Sequence, residues 1–142
     1  MRMDIQDLIR SNNVCVLATV SEREPHCSLM SYAADIDCRE IYMITQRESK
    51  KFHNLEGNQS VSLLIDTRQA DTKNHIKALT VTGTFQSSFD EKKLSNIKTS
   101  LLNINPDLKE FIDDPASAII IVQVKAVQLL DGIKESYFEI VT

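Results

Sequence analysis

The chain has no tryptophan and only three glycines, three prolines and three cysteines in 142 residues, and each shortage excludes a class of protein. Gly57, Gly83 and Gly132 lie too far apart to form a Walker loop or a GxGxxG turn, so any nucleotide must be held by other means. Cys15, Cys27 and Cys38 are odd in number and contain no CxxC pair, which fits neither a zinc site nor a secreted disulfide framework; reduced, mostly packed thiols are expected. The longest uncharged apolar stretch, Ala116 to Val124, is about half the length that a membrane-spanning helix needs. A basic block is also missing. Sixteen Lys and Arg stand scattered against 20 Asp and Glu, a formal charge of −4, which leaves no electrostatic footprint for nucleic acid or for an anionic membrane surface. The opening residues, Met1 to Asp7, carry acids where a signal peptide would be basic and then apolar, so a cytoplasmic protein is expected.

What the chain does have is an ordinary globular composition, 42% hydrophobic and 25% charged. At this length roughly two-thirds of the unfolded surface can be buried, enough for one core, and residues 1–142 are read as one domain.

The hydrophobic pattern is mostly of strand type. Asp4 followed by Ile5, Leu8 and Ile9 predicts an N-cap and a short helix ending near Ser11. Val14 to Val20 and His26 to Asp35 read as two strands joined by a turn at Ser21 to Pro25. Ile41 to Thr45 is a third strand. It leads into a helix capped by Ser49, with Phe52 and Leu55 on one face and Gly57 at its end. Val61 to Asp66 and Leu79 to Phe85 alternate as strands around a polar loop from Thr67 to Asn74. Leu94, Ile97, Leu101 and Leu102 mark a helix opening at Asp90, and Pro106 starts a further short helix through Phe111 and Ile112. Ala118 to Leu130 and Ile133 to Val141, separated by the turn dipeptide Asp131-Gly132, predict a closing hairpin. About seven strands joined by short connections, with small helices between them, argue for an antiparallel barrel rather than a parallel α/β sheet.

Ser49, Lys50 and Lys51 are the most informative local oddity. They place two cations in the first turn of a helix, where the macrodipole is already positive and each costs a few tenths of a kcal/mol. An anion would reverse that sign, because free N–H groups, a hydroxyl and two ammonium groups together make a phosphate site. A solvated basic turn is the other reading of the same residues. His26, His53 and His75 have no metal-ligand spacing, and no metal is expected. Cys27 follows His26, but neighbouring strand residues face opposite ways, which argues against a thiol nucleophile.

The order of six segments, Leu17 to Val20, Pro25 to Tyr32, Ile41 to Thr45, Ser49 to Leu55, Val61 to Ile65 and Val81 to Thr84, resembles the FMN-binding split-barrel family related to pyridoxamine 5′-phosphate oxidase. The similarity is strongest over residues 14–66. The resemblance implies a mainly β fold with small helices, an antiparallel split barrel of Greek-key type. It places Lys50 and Lys51 at the family's phosphate-binding pair, with Ser49 beside them and Thr45 at the end of the strand feeding that turn. Ser28, Leu29, Met30 and Ser31 fall on the strand that runs along the flavin ring and ribityl chain, although large apolar side chains such as Met30 and Tyr32 on an alternating strand are more often core residues. The resemblance further implies FMN, a homodimer with flavin at the subunit interface, and a small-substrate oxidoreductase or a flavin electron carrier. The oxidase itself is not expected, because its C-terminal Arg/His pair has no counterpart after Arg68 and His75, and the haem-degrading relatives' C-terminal His is absent too. An F420-binding reductase, and a dimeric binding module that has lost its flavin, are the alternatives.

Overall fold

The computed structural model describes residues 1–68, 75–132 and 135–142. Eight strands form one curled sheet: β1 (Val14–Ser21), β2 (Glu24–Ser31), β3 (Ala33–Ala34), β4 (Glu40–Gln46), β5 (Ser60–Asp66), β6 (Lys77–Gln86), β7 (Ser117–Asp131) and β8 (Glu135–Ile140). Four helices accompany them: α1 (Met3–Ser11), α2 (Lys50–Gly57), α3 (Glu91–Ile104) and the short α4 (Lys109–Asp113), which follows a 3-10 turn at Pro106–Leu108. The strand order is β2-β1-β5-β6-β7-β4-β3, and every pairing is antiparallel. The fifteen-residue β7 organises the sheet. One edge pairs with β6, while the other pairs with β4 along Ser117–Gln123 and with β8 along Ala126–Asp131. The expected last strand is observed from Glu135; its first residues, Ile133 and Lys134, and positions 69–74 of the polar loop lie outside the described residues.

The predicted strand from His26 to Asp35 is in fact two, because the chain turns at Tyr32. Tyr32 is 1% exposed; its hydroxyl donates to the Ile9 carbonyl at 2.6 Å, and its backbone N–H donates to the Asn13 carbonyl at 2.9 Å. A buried phenol needs such a partner, and the last carbonyls of a helix such as α1 have none within it. This contact ends β2 and sends β3 to the opposite side of the split, against β4. A second adjustment concerns α1, which starts at Met3 with Arg2 in the N-cap position rather than Asp4. The Asp4 carboxylate instead accepts two hydrogen bonds from Arg2 at 2.7 Å, which hold it below the usual carboxylate range.

Inward-facing residues fill the barrel. Cys15, Leu17, Ile41, Met43, Leu63, Ile65, Val81 and Ile120 belong to this main core, and Ile5 and Ile9 of α1 and Leu55 of α2 join it. A smaller core lies on the outer side of β4 and β7, where Tyr42, Ile44 and Ile121 meet Ile97 and Leu101 of α3 and Ile112 of α4. Apolar residues on both faces of the first half of β7 therefore have a double cover, which explains its unbroken hydrophobic run. At Thr82 and Gly83 the register against β7 shifts by one, skipping Lys125. A Cβ on Gly83 would stand 2.6 Å from both the Gln123 carbonyl oxygen and Val122 Cγ1, so the bulge requires glycine.

The outer face of the remaining strands has no such cover. One cross-strand row runs Leu29, Val16, Leu64, Thr80, Gln128, Phe138, and the next runs Cys27, Ala18, Ser62, Thr82, Ala126, Ile140. Neither row contains a charge. Leu29 is 76% exposed, Phe138 61% and Ile140 67%.

Candidate functional site

Strand β4 ends at Gln46 and the chain turns directly into α2. Ser49 caps that helix: its Oγ accepts from the Phe52 N–H at 3.3 Å. Three side chains converge here. Thr45 Oγ1 lies 3.2 Å from Ser49 Oγ, and Lys51 Nζ donates to Thr45 Oγ1 at 3.4 Å. Thr45 is buried although it is polar, and the first turn of α2 holds no acidic residue. The N–H groups of Lys50 and Lys51, in that turn, have no partner within the helix and point along its positive end. An ammonium group, two hydroxyls and unpaired N–H groups in one place make an anion site by their chemistry.

These residues border a pocket of ≈ 370 Å³. Of the residues singled out in the sequence, Leu29, Met30, Ser31, Thr45, Ser49 and Lys51 line it. Lys50 and Ser28 do not. Lys50 is exposed on α2, and Ser28 pairs with Leu17 on β1, on the barrel-facing side of β2. Met30 combines both of its readings: it is 8% exposed, packs in the main core and also reaches the pocket wall.

Four wall residues were not legible as such, namely Ile44, Gln46, Leu108 and Phe111. Leu108 and Phe111 come from the segment after α3, and Asn105 Nδ2 ties the start of that segment to Ser31 Oγ at 3.3 Å. The apolar spacing there signalled a helix but not which strand end it covers. The wall contains no His, Asp, Glu, Cys or Tyr, so Lys51 is its one ionisable side chain.

Leu29 also lines a second pocket, of ≈ 310 Å³, on the outer sheet face with Val14, Val16, Leu64 and the Asp66–Arg68 pair. Burial pushes the Asp66 carboxyl up, but hydrogen bonds from the Arg68 guanidinium and backbone N–H outweigh it and hold the group below its usual range. The two pockets thus meet at one exposed leucine, at the end of an uncharged cross-strand row.

Other chemistry is thinly represented. Among the described residues no cluster of three or more His, Cys, Asp or Glu could hold a metal, and no helix is long and apolar enough to cross a membrane. Cys15 and Cys38 are buried, and burial raises the Cys15 thiol to about 12. Cys27 is exposed, and the register sets it opposite Ala18 while His26 stands opposite Thr19, on the other face.

The sequence profile described as pyridoxamine 5′-phosphate oxidase matches residues 1–131. No curated protein matches the chain. Among solved structures, a heme-binding protein from Mycobacterium smegmatis superposes with a TM-score of 0.84 at 18% identity, covering 99% of this chain and 59% of that one. The chain thus spans about three-fifths of that protein's length. General Stress Protein 26 from Bacillus anthracis gives a TM-score of 0.75 at 22% identity, covering 98% and 97% of the two chains. A FAD-binding protein from Mesorhizobium loti gives 0.73 at 15% identity, covering 91% and 93%. At these identities the likeness is one of fold, the antiparallel split barrel.

Proposed function

The chain belongs to the pyridoxamine 5′-phosphate oxidase family, and from that premise we propose that it is a flavoprotein that holds FMN at the β4–α2 turn and serves as a small-substrate oxidoreductase or a flavin electron carrier. The observation that carries this reading is the convergence of Ser49 Oγ and Lys51 Nζ on Thr45 Oγ1, at 3.2 and 3.4 Å, at a helix start without acidic residues. That donor set fits a phosphate monoester. The phosphate end of FMN would meet Ser49, Lys51 and the N–H groups of α2, and Leu29, Met30 and Ser31 would border the rest of the ligand. Bound flavin supplies hydride or single-electron transfer, while the chain's residues anchor it and set its surroundings. With Lys51 given to the anion and no other acid or base in the wall, this chain's contribution is positioning rather than proton transfer. None of the three histidines lines the pocket, which favours flavin over haem for this chain.

The same reading includes a homodimer. Val14, Val16 and Leu64 give the outer sheet face the apolar character of a covered one, and two uncharged cross-strand rows end at exposed Phe138 and Ile140. A sheet hydrophobic on both sides calls for a second layer. A second copy against this face would also border the pocket at Leu29, consistent with a flavin held between subunits.

The test is a visible absorption spectrum of the purified protein before and after FMN addition and removal of free ligand, with molar mass from light scattering. A flavin spectrum at about one FMN per subunit, on a particle of twice the chain mass, is the expected result. A colourless protein that retains no added FMN overturns the reading.

A further inference from the structure

Apart from Tyr and Cys, three polar side chains are buried among the described residues: Thr19, Thr45 and Asn54, at 0%, 5% and 5% exposure. All three are spent on one helix. Thr45 meets Ser49 and Lys51 at the start of α2, and Asn54 Nδ2, near its other end, donates to Thr19 Oγ1 of β1 at 3.1 Å.

Burying an amide and a hydroxyl is unfavourable unless they pair, and an apolar pair of similar volume at these positions would be at least as stabilising. Leu55, fully buried beside Asn54, already supplies the hydrophobic attachment of α2. So does Phe52, whose ring meets Phe85 edge-on at 6.0 Å. Those contacts are non-directional and leave the rotation of the helix about its axis loosely defined. A hydrogen bond is directional. Lys51 lies three and four residues before Asn54 and Leu55, on the same side of the helix one turn toward its N-terminus. Whatever fixes the direction of Asn54 therefore fixes where Lys51 points.

We propose that the Asn54–Thr19 hydrogen bond is a positioning device that sets the rotation of α2, and through it the approach of Lys51 and Ser49 to Thr45 at the anion site. Neither residue touches the pocket. The ligand arm of the test rests on the flavin reading; the other arm does not.

Thr19→Val combined with Asn54→Leu removes both polar groups and keeps the volume. The double variant is expected to melt at or above the wild-type temperature, yet to bind FMN about tenfold more weakly, the factor one lost hydrogen bond to an anion represents. In the ligand-free protein, hydrogen-exchange protection of the Phe52 and His53 amides at the start of α2 is expected to fall, while that of β1 is kept. Thr19→Ser, which keeps the hydroxyl, should restore both. Should the double variant not fold, Thr19→Val alone, which leaves the Asn54 amide unpaired and is expected to melt lower, is read by its FMN affinity and α2 protection only. A lower melting temperature with unchanged FMN affinity and unchanged α2 protection overturns the proposal and leaves a purely structural bond. If the wild-type chain binds no FMN, the flavin reading fails and the exchange arm alone decides: unchanged protection overturns the positioning role, and lost protection sustains it.

Discussion

Lys51 reaches back over the first turn of its helix to Thr45, Nζ to Oγ1 at 3.4 Å, whereas its neighbour Lys50 stays exposed and away from the pocket. The two lysines are alike in sequence but not in placement.

That difference makes the pair separable. Lys51→Ala should weaken FMN binding by about 10- to 100-fold, the range for a lost hydrogen bond to a charged group. Lys50→Ala should change it by only a fewfold, through screened long-range attraction. Both substitutions remove a cation from the positive end of α2, so neither should lower the melting temperature, and each should add a few tenths of a kcal/mol. Fluorescence titration with FMN and a thermal melt on the same samples check both signs. Equal losses at the two positions would refute the distinction.

The barrel was legible because alternation survives wherever one sheet face is wet, as in Val61, Leu63 and Ile65 or Leu79, Val81 and Phe85, all buried as their spacing implied. The break at Tyr32 was not. Tyr32 fits the strand pattern, and only a carbonyl at the end of α1 reveals why the chain turns there. For the same reason the pocket was half visible: Thr45, Ser49 and Lys51 are local to one turn, while Leu108 and Phe111 arrive from a segment some sixty positions later. Asn54 gave no signal, since a polar residue in a short amphipathic helix is normally read as its wet face.

Gly83 tests the bulge. Gly83→Ala places a methyl 2.6 Å from the Gln123 carbonyl and Val122 Cγ1, both in the interior of β7, where neither can move freely. A loss of about 1–3 kcal/mol in urea unfolding is expected, with no effect specific to FMN affinity. Gly57→Ala is the control, because nothing lies within 4 Å of a Cβ there and its φ is not in the left-handed region.

The thiols give a prediction in pH. Cys27 is exposed and should react with a thiol reagent at pH 8, while Cys15 and Cys38 are buried and should react only after unfolding. Burial raises the Cys15 thiol to about 12, so the folded state favours its neutral form. The resulting stability is complete below the unfolded thiol value of about 8.5 and is lost as pH climbs from there toward 12. Cys15→Ala should therefore show a flatter alkaline stability curve than the parent, in denaturant melts from pH 8 to 11. A curve as steep as the parent's would assign the alkaline loss to other groups.

The uncharged rows of the outer face carry the last prediction. Leu64 sits at the middle of a cross-strand row between Val16 and Thr80, 38% exposed, with its backbone fixed by both neighbouring strands. Leu64→Arg keeps a long aliphatic stem that can lie on the sheet while its guanidinium reaches water. In an isolated subunit the change is tolerable, within about 0.5 kcal/mol, as for most surface substitutions. Against a second copy it sets a charge in an apolar contact, and two-fold symmetry would bring that charge in twice. The expected result is a particle of single-chain mass by light scattering, folded by circular dichroism, with FMN binding weakened although Leu64 lies outside the anion pocket. If the variant stays dimeric, the interface lies elsewhere. If it becomes monomeric and binds FMN as tightly as the parent, the ligand is held by one subunit alone, and the shared position of Leu29 between pocket and face has no bearing on binding.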